Sequence, residues 1–555
     1  MAIDTRVILP CWAPMDVEMQ VEAGCEYSVF MELNGSKLLS LVLNYYRDIA
    51  DRAEFVVVLP ETAPNLESET VSGYELKTIR LAKSKSIGDT IVSALGQTEN
   101  IKNLIINMPD TIVRGVYESS LTDRLLVKPR ADLYRWTSFE RNKDGSIKVF
   151  NDRLAVKSNT TKNASIGVFA FSDIDLFRLK LNDALSLPNA SLDPLFVAIE
   201  KYSEMVHLAM HEPSAWFDCG HVDTFYAALL EFQSLRYFNH LEYDHDFGLV
   251  TKRSQNTEAF RHQVRWYKQV PNEASPFLPR IFDCSDEKDP FITMELVSSP
   301  TLSSLFLTKR LPTSSWGEIA RKILLINNIF KKYKIHSNLA KNLAAEIYIE
   351  KTKRRINQFC AQNPFGKKLK VFLPHGQSFS LNDVLLTLDS FVEKSGLLNI
   401  NELSPVHGDL CFSNILYDHR TGGMKLIDPR GEFGVPGIYG DSRYDLAKLM
   451  HSYQFGYDLI MNRSIRATVD TSFVLKHDRN SNEIFDEIAG VFNSFLFEDI
   501  GLYEQCKAIN ALLFLSMLPL HDDHPERQMA MASVGLSLYA EIWDQQANAL
   551  KVASI

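Results

Sequence analysis

The apolar residues of this chain follow two successive patterns. Over roughly the first 235 positions, short continuous apolar runs stand at Arg6-Val7-Ile8-Leu9-Pro10, at Glu54-Phe55-Val56-Val57-Val58-Leu59-Pro60 and at Asn103-Leu104-Ile105-Ile106-Asn107-Met108. Between them, Ser36 to Tyr46 and Ser86 to Leu95 carry apolar residues at helical spacing. Runs this short and this unbroken fit strands buried on both faces. Strand, helix and strand in succession predict an α/β domain built on a mainly parallel sheet. Ligands of such sheets collect beyond the carboxyl ends of strands, which is where Asp110 falls.

From Glu242 the pattern changes. A strand is predicted at Phe247–Arg253, a helix from Asn256 through Trp266 and Tyr267, and a strand at Phe291–Val297; helices follow at about Trp316 to Tyr333 and Leu343 to Cys360 and continue to the C-terminus. This predicts an α+β second domain. The expected boundaries are 1–235 for the first domain and 236–555 for the second, with a strand-rich lobe over about 236–297 and a helical lobe over about 298–555.

Composition narrows the function classes. With 555 residues the chain exceeds one ordinary core. Lys and Arg number 59 against 69 Asp and Glu, a net charge of −10, so the basic excess of a nucleic-acid binder is missing. The seven cysteines are scattered and contain no Cys-x-x-Cys pair, which argues against a disulfide framework or a zinc site and for a reducing compartment. The start of the chain, with Asp4 and Arg6 before a short apolar run, predicts no signal peptide, and the absence of an apolar stretch of about 18 residues predicts no membrane span. The expected location is the cytoplasm.

Candidate chemistry concentrates at His407-Gly408-Asp409-Leu410-Cys411-Phe412-Ser413-Asn414 and at Leu426-Ile427-Asp428-Pro429-Arg430-Gly431. Between the two, an apolar run ends at Asp418, passes Thr421-Gly422-Gly423 and resumes at Met424, the pattern of a hairpin. Such a hairpin brings Asn414 and Asp428 to one end. Phosphoryl transfer needs a carboxylate to accept the hydroxyl proton, and an amide and a second carboxylate to hold Mg²⁺ between phosphates. Those roles fall to Asp409, Asn414 and Asp428.

The motif resembles that of the aminoglycoside phosphotransferase and choline kinase family: His-Gly-Asp, four residues, Asn, then Ile-Asp. Cys411 stands where protein kinases commonly carry Lys, and no Ala-Pro-Glu segment follows Asp428; both departures point to a small-molecule acceptor. The resemblance implies a protein-kinase-like, two-lobed fold using ATP and Mg²⁺. It implies that Lys252 holds the α and β phosphates and that backbone groups of Glu295 to Val297 bind adenine. Where related kinases place a helix glutamate against the lysine, this chain has Gln263, able to hydrogen-bond Lys252 but not to neutralise it. Asp441 and Asp445, in Gly440-Asp441-Ser442-Arg443-Tyr444-Asp445, are expected to brace the catalytic loop. Lys351, Lys353, Arg354 and Arg355 read as a solvated helix face, with a site for an acidic substrate as the other reading.

The first domain resembles the sugar-phosphate nucleotidyltransferases, whose fold is that of nucleotide-diphospho-sugar transferases. The likeness lies at Met31 to Leu39, at Asn107-Met108-Pro109-Asp110-Thr111, at Ser165 to Phe171 and at Trp216-Phe217-Asp218-Cys219-Gly220. It implies Asp110 and Asp218 as Mg²⁺ carboxylates and Lys157 as a contact for the phosphate of a sugar phosphate. The family's Gly-rich triphosphate loop is degenerate here. Residues 11–24 hold one glycine, no cation, and Asp16, Glu18 and Glu22, a composition that repels a triphosphate.

Together these features predict an ATP- and Mg²⁺-dependent kinase for a hydroxyl of a sugar, polyol or amino alcohol, serving surface-polysaccharide or headgroup precursor synthesis. The N-terminal domain is expected to bind a nucleotide or sugar phosphate. The alternatives are a bifunctional kinase and nucleotidyltransferase making an NDP-sugar or CDP-alcohol, and a non-catalytic scaffold sensing nucleotide or sugar.

Overall fold

A computed structural model describes residues 3–33, 36–66, 70–71, 73–96, 101–115, 117, 123–130, 136–151, 162–187, 192–232, 239–244, 247–309, 311–478, 483–522 and 524–553. The chain divides into two compact units, Met1–Ser234 and Leu235–Ile555.

At the centre of the first unit Thr5–Pro10 lies between Ala53–Pro60 and Asn103–Asn107, parallel to both, and Ala53–Pro60 is parallel in turn to Tyr74–Leu81. Side chains alternate across these strands and both faces are buried. Val7, Leu9, Phe55, Val57 and Ile105 enter one core with the helix Leu38–Leu43. Ile8, Val56, Val58, Leu104 and Ile106 enter another, under Ile87–Leu95, Ile174–Leu185 and Pro194–Ser203. This two-sided burial explains why the runs read as unbroken. The expected α/β architecture is observed, with an antiparallel flank: Lys162–Phe171 pairs antiparallel with Asn103–Asn107, Arg124–Arg130 and Thr137–Arg141.

Residues 11–24 differ from the loop the sequence suggested. Val17–Ala23 is helical and ends at Gly24 in the left-handed conformation, a common helix stop. Glu22 is buried and accepts a hydrogen bond from the Tyr226 hydroxyl, whereas Asp16 and Glu18 are exposed.

In the second unit four antiparallel strands run in the order Asn239–Asp244, Leu249–Ser254, Phe291–Glu295, Ile281–Ser285. The helix Thr257–Gln269 accompanies this sheet, its start capped by Asn256, which accepts the Ala259 N–H at 3.3 Å. A large helical core follows, including Thr313–Lys332, Lys351–Gln362, Ser442–Tyr453, Ile500–Met517 and Pro525–Ala553. Met294 belongs to the packing between sheet and helix, as an ordinary core residue would. The Trp266 indole N–H, fully buried, donates to the Val406 carbonyl at 2.7 Å and so ties this helix to the segment preceding His407. Among the described residues no helix is long and apolar enough to cross a membrane.

Trp266→Phe removes that donor and leaves the Val406 carbonyl unpartnered, and is expected to lower unfolding stability by about 1–3 kcal/mol in urea titrations. An unchanged midpoint would show that the bond contributes nothing to holding helix and loop together.

Candidate functional site

The predicted hairpin forms between Ile415–Asp418 and Gly423–Leu426, with Ile415 opposite Leu426 and Asp418 opposite Gly423. One step beyond the ladder, the Ile427 N–H donates to the Asn414 carbonyl at 3.0 Å, so register alone places Asp428 beside Asn414. Asn414 Nδ2 donates to the Asp409 carbonyl at 2.8 Å and closes the loop on itself. The base of the loop is anchored by Phe412, which stacks on Trp316 with ring centroids 5.6 Å apart.

His407 joins the two motifs. Its Nδ1 accepts the Asp409 N–H at 3.3 Å, and its Nε2–H donates to the Ile427 carbonyl at 2.9 Å. This fixes a neutral tautomer. Burial pushes the imidazole down to about 4 against the opposing pull of Asp409 and Asp428. Asp445 braces the same turn from below: its two oxygens accept the N–H groups of His407 and Gly408, each at 2.7 Å. Burial raises its carboxyl to about 7 despite those bonds. Gly408 has φ +80°, and a Cβ there would lie 1.8 Å from Phe433, so no other residue fits the turn. Asp441 caps the helix Ser442–Tyr453 and receives the Arg443 guanidinium and the Tyr348 hydroxyl.

Lys252 is only 5% exposed, so it is no solvated surface charge. Its Nζ donates to Asp428 Oδ1 at 2.6 Å. Gln263 lies where the helix glutamate was sought, but its Nε2 donates to the same Asp428 oxygen at 3.3 Å rather than pairing with Lys252. The reason is electrostatic: an amide cannot compete with a carboxylate for an ammonium. Asp428 Oδ2 and Asn414 Oδ1 carry no hydrogen bond among the described residues. Asp428 itself sits in the left-handed region at φ +58°, a conformation that Asp tolerates better than most residues. At the end of Phe291–Glu295, the N–H groups of Glu295 and Leu296 already donate to Arg280 and Gly248 carbonyls, both at 2.8 Å. Of the predicted adenine contacts, the Val297 N–H has no such bond among the described residues.

Lys448 carries no role in the sequence reading. It is buried, and its Nζ meets Asp409 Oδ1 at 2.8 Å. Arg430 and Lys351 both donate to the Tyr444 hydroxyl, at 3.2 and 3.4 Å. The i, i+4 spacing of Tyr444 and Lys448 on one helix was the available signal for this group; which loop the helix faced was not readable.

In the first unit a short ladder does comparable work. Ala215–Asp218 pairs with Thr111–Arg114, Asp218 opposite Thr111, so Asp110 comes against Gly220. A Cβ on Gly220 would lie 2.7 Å from Asp110 Oδ2 and 3.3 Å from Asp218 Oδ1. Burial and the Asp218 charge push the Asp110 carboxyl up to about 6. Asp218 accepts from the Gly220 N–H at 3.1 Å and from His221 Nδ1 and Thr224 Oγ1, each at 2.7 Å. His221 had not been singled out. Lys157 lies outside the described residues.

His407 is expected to keep its proton on Nε2 and to titrate near pH 4, as read by ¹⁵N-imidazole NMR; a titration near 6.5 would contradict the hydrogen-bond assignment. Because the folded value lies below the unfolded one, His407 takes stability away as pH falls from about 6.5 toward 4, at about 1.4 kcal/mol per pH unit.

No protein-family model matches this chain, and no curated protein sequence does. Among solved structures, the chain is similar to HddC from Yersinia pseudotuberculosis in complex with GMP-PN, at 15% identity and TM-score 0.32, over 42% of this chain and 100% of that one. It is similar to the inositol-1-phosphate CTP transferase of T. maritima at 14% identity and TM-score 0.31, over 42% of this chain and 98% of that one. It is also similar to a glucosamine kinase at 12% identity and TM-score 0.34, over 59% of this chain and 85% of that one.

Proposed function

We propose that the C-terminal unit is an ATP- and Mg²⁺-dependent phosphotransferase acting on a hydroxyl of a small molecule. The observation that carries this reading is the meeting of a buried strand lysine, Lys252, with Asp428 at 2.6 Å, beside an Asn414 that folds onto the Asp409 backbone. The residues fit the cofactor. Asp428 Oδ2 and Asn414 Oδ1 are hard oxygen donors of the kind Mg²⁺ prefers, and the two residues are held side by side by the hairpin register. Bound Mg–ATP supplies the γ-phosphorus and a leaving ADP.

The chain's own groups do the rest. Asp409 accepts the acceptor's hydroxyl proton as the oxygen bonds to the γ-phosphorus and the bond to the bridging oxygen breaks. Lys448 holds the Asp409 carboxylate in place. Lys252 holds the α and β phosphates, and the backbone from Glu295 to Val297 receives adenine. A role in making precursors of a surface polysaccharide or lipid headgroup suits a kinase fused to a nucleotidyltransferase-like unit; this link is one of association.

A second reading, that the chain is also a nucleotidyltransferase, is favoured by Asp110 and Asp218 flanking Gly220. Two adjacent carboxylates, one raised to about 6, would welcome a cation. Against it stands the segment 11–24, which brings no cation and exposes Asp16 and Glu18. The first unit is therefore assigned ligand binding without appreciable nucleotidyl transfer.

In a coupled ADP-release assay over sugars, polyols, sugar phosphates and amino alcohols, Asp409→Asn is expected to lower kcat about 10²- to 10⁴-fold with little change in Mg–ATP binding. Asp428→Ala loses Mg²⁺-dependent ATP binding as well. Near wild-type turnover by Asp409→Asn would refute the assigned base. For the first unit, the full chain given nucleoside triphosphates and sugar phosphates is expected to bind them without releasing pyrophosphate; release abolished by Asp110→Ala would establish the second reading instead.

A further inference from the structure

The phosphotransfer reading leaves a group of cations beside Asp409 without a task. Of the four basic residues read as a solvated face, two behave so: Lys353 pairs with Asp389 at 2.7 Å and Arg354 with Glu346 at 3.4 Å. Lys351 and Arg355, one turn apart on another side of the helix, do not. A π turn over Glu346–Glu350 shifts the helical register immediately before Lys351, an irregularity frequent at functional sites.

Lys351 and Arg430 converge on one acceptor, the buried Tyr444 hydroxyl. Arg355 is half-buried within electrostatic range of Arg430, and Lys448, one turn beyond Tyr444, holds Asp409. Among the described residues none of Lys351, Arg355 and Arg430 has a carboxylate within ion-pair distance. The acidic residues nearby are engaged elsewhere: Asp409 with Lys448, Glu432 with His262 and Glu346 with Arg354. The consequence is visible in the side chains. Burial lowers Lys351, and although burial alone would raise Tyr444, the surrounding cations bring its phenol down to about 8. Cations gathered this way repel one another, and an oxyanion among them would offset both that repulsion and the loss of hydration.

We propose that Lys351, Arg355 and Arg430 form a subsite for an oxyanion carried by the acceptor. The substrate is then a hydroxyl compound that already bears a phosphate or carboxylate, not a neutral sugar or an amino alcohol. Guanidinium forks suit either anion, and the adjacent Lys448–Asp409 pair places the hydroxyl-activating carboxylate next to the anchored group. This rests on the phosphotransferase reading for the word acceptor, whereas the anion site can be measured without turnover.

Calorimetric titration of the full chain with inorganic phosphate and with acetate tests it. Wild type is expected to bind at least one, phosphate more tightly if the acceptor is phosphorylated and acetate if it is a carboxylic acid. Lys351→Met and Arg355→Gln should each weaken binding roughly tenfold or more, and Lys353→Met, on the solvated side, by less than about twofold. Arg355 is partly exposed, so Arg355→Gln remains informative if Lys351→Met fails to fold. Asp428→Ala should bind the anion normally, which separates failure of this subsite from failure of the ATP site. Absence of binding by wild type, or equal binding by Lys351→Met and Arg355→Gln, would overturn the proposal.

Discussion

A single neutral imidazole sets the geometry of the second unit's site. His407 can accept from the Asp409 N–H and donate to the Ile427 carbonyl only while it carries one proton, and its complete burial keeps it so. Through those two bonds the loop bearing Asp409 and the strand leading to Asp428 become one body. Asp445 fixes the same turn through two backbone N–H groups, and Gly408 supplies the left-handed conformation that lets Phe433 close over it. The hairpin register then delivers Asn414 to Asp428 without any further interaction.

Charge at the site is divided between two carboxylates, each held by one lysine. Lys252 is paired with Asp428 and Lys448 with Asp409. Both lysines are buried, where an unpaired ammonium would be costly, so each pair fixes the position of its carboxylate as well as its charge. The surplus is cationic and lies on the Tyr444 side of Asp409. Under the proposed phosphotransfer, that asymmetry separates the side assigned to the acceptor from the side assigned to the nucleotide phosphates.

The first unit uses a related device with the opposite balance. A two-strand ladder, not a helix, brings Asp110 and Asp218 together around Gly220, and the nearest polar partners are His221 and Thr224. Negative charge accumulates there, and among the described residues no lysine or arginine is bonded to either carboxylate. At the other end of the comparison, Glu22 turns into the core against Tyr226, so the acidic character of residues 11–24 is smaller at the surface than their composition suggests.

The sequence by itself determined the strands buried on both faces, the hairpin between Asn414 and Asp428, and the helix capped by Asn256, because each depends on periodicity and turn chemistry within about twenty residues. It also marked Asp409, Asn414 and Asp428, whose spacing is short and whose residue types are restricted, and, through the family resemblance alone, Asp110 and Asp218. The partners of Lys252, Gln263 and Lys448 were decided only by tertiary structure. Gln263 and Lys252 both reach Asp428 across more than 160 positions of chain, and no local pattern encodes such a meeting. Lys351 and Arg355 were indistinguishable from Lys353 and Arg354 in sequence, since all four are basic residues on one amphipathic helix. A π turn and the packing of Tyr444 against that helix decided which of them face solvent and which face one another.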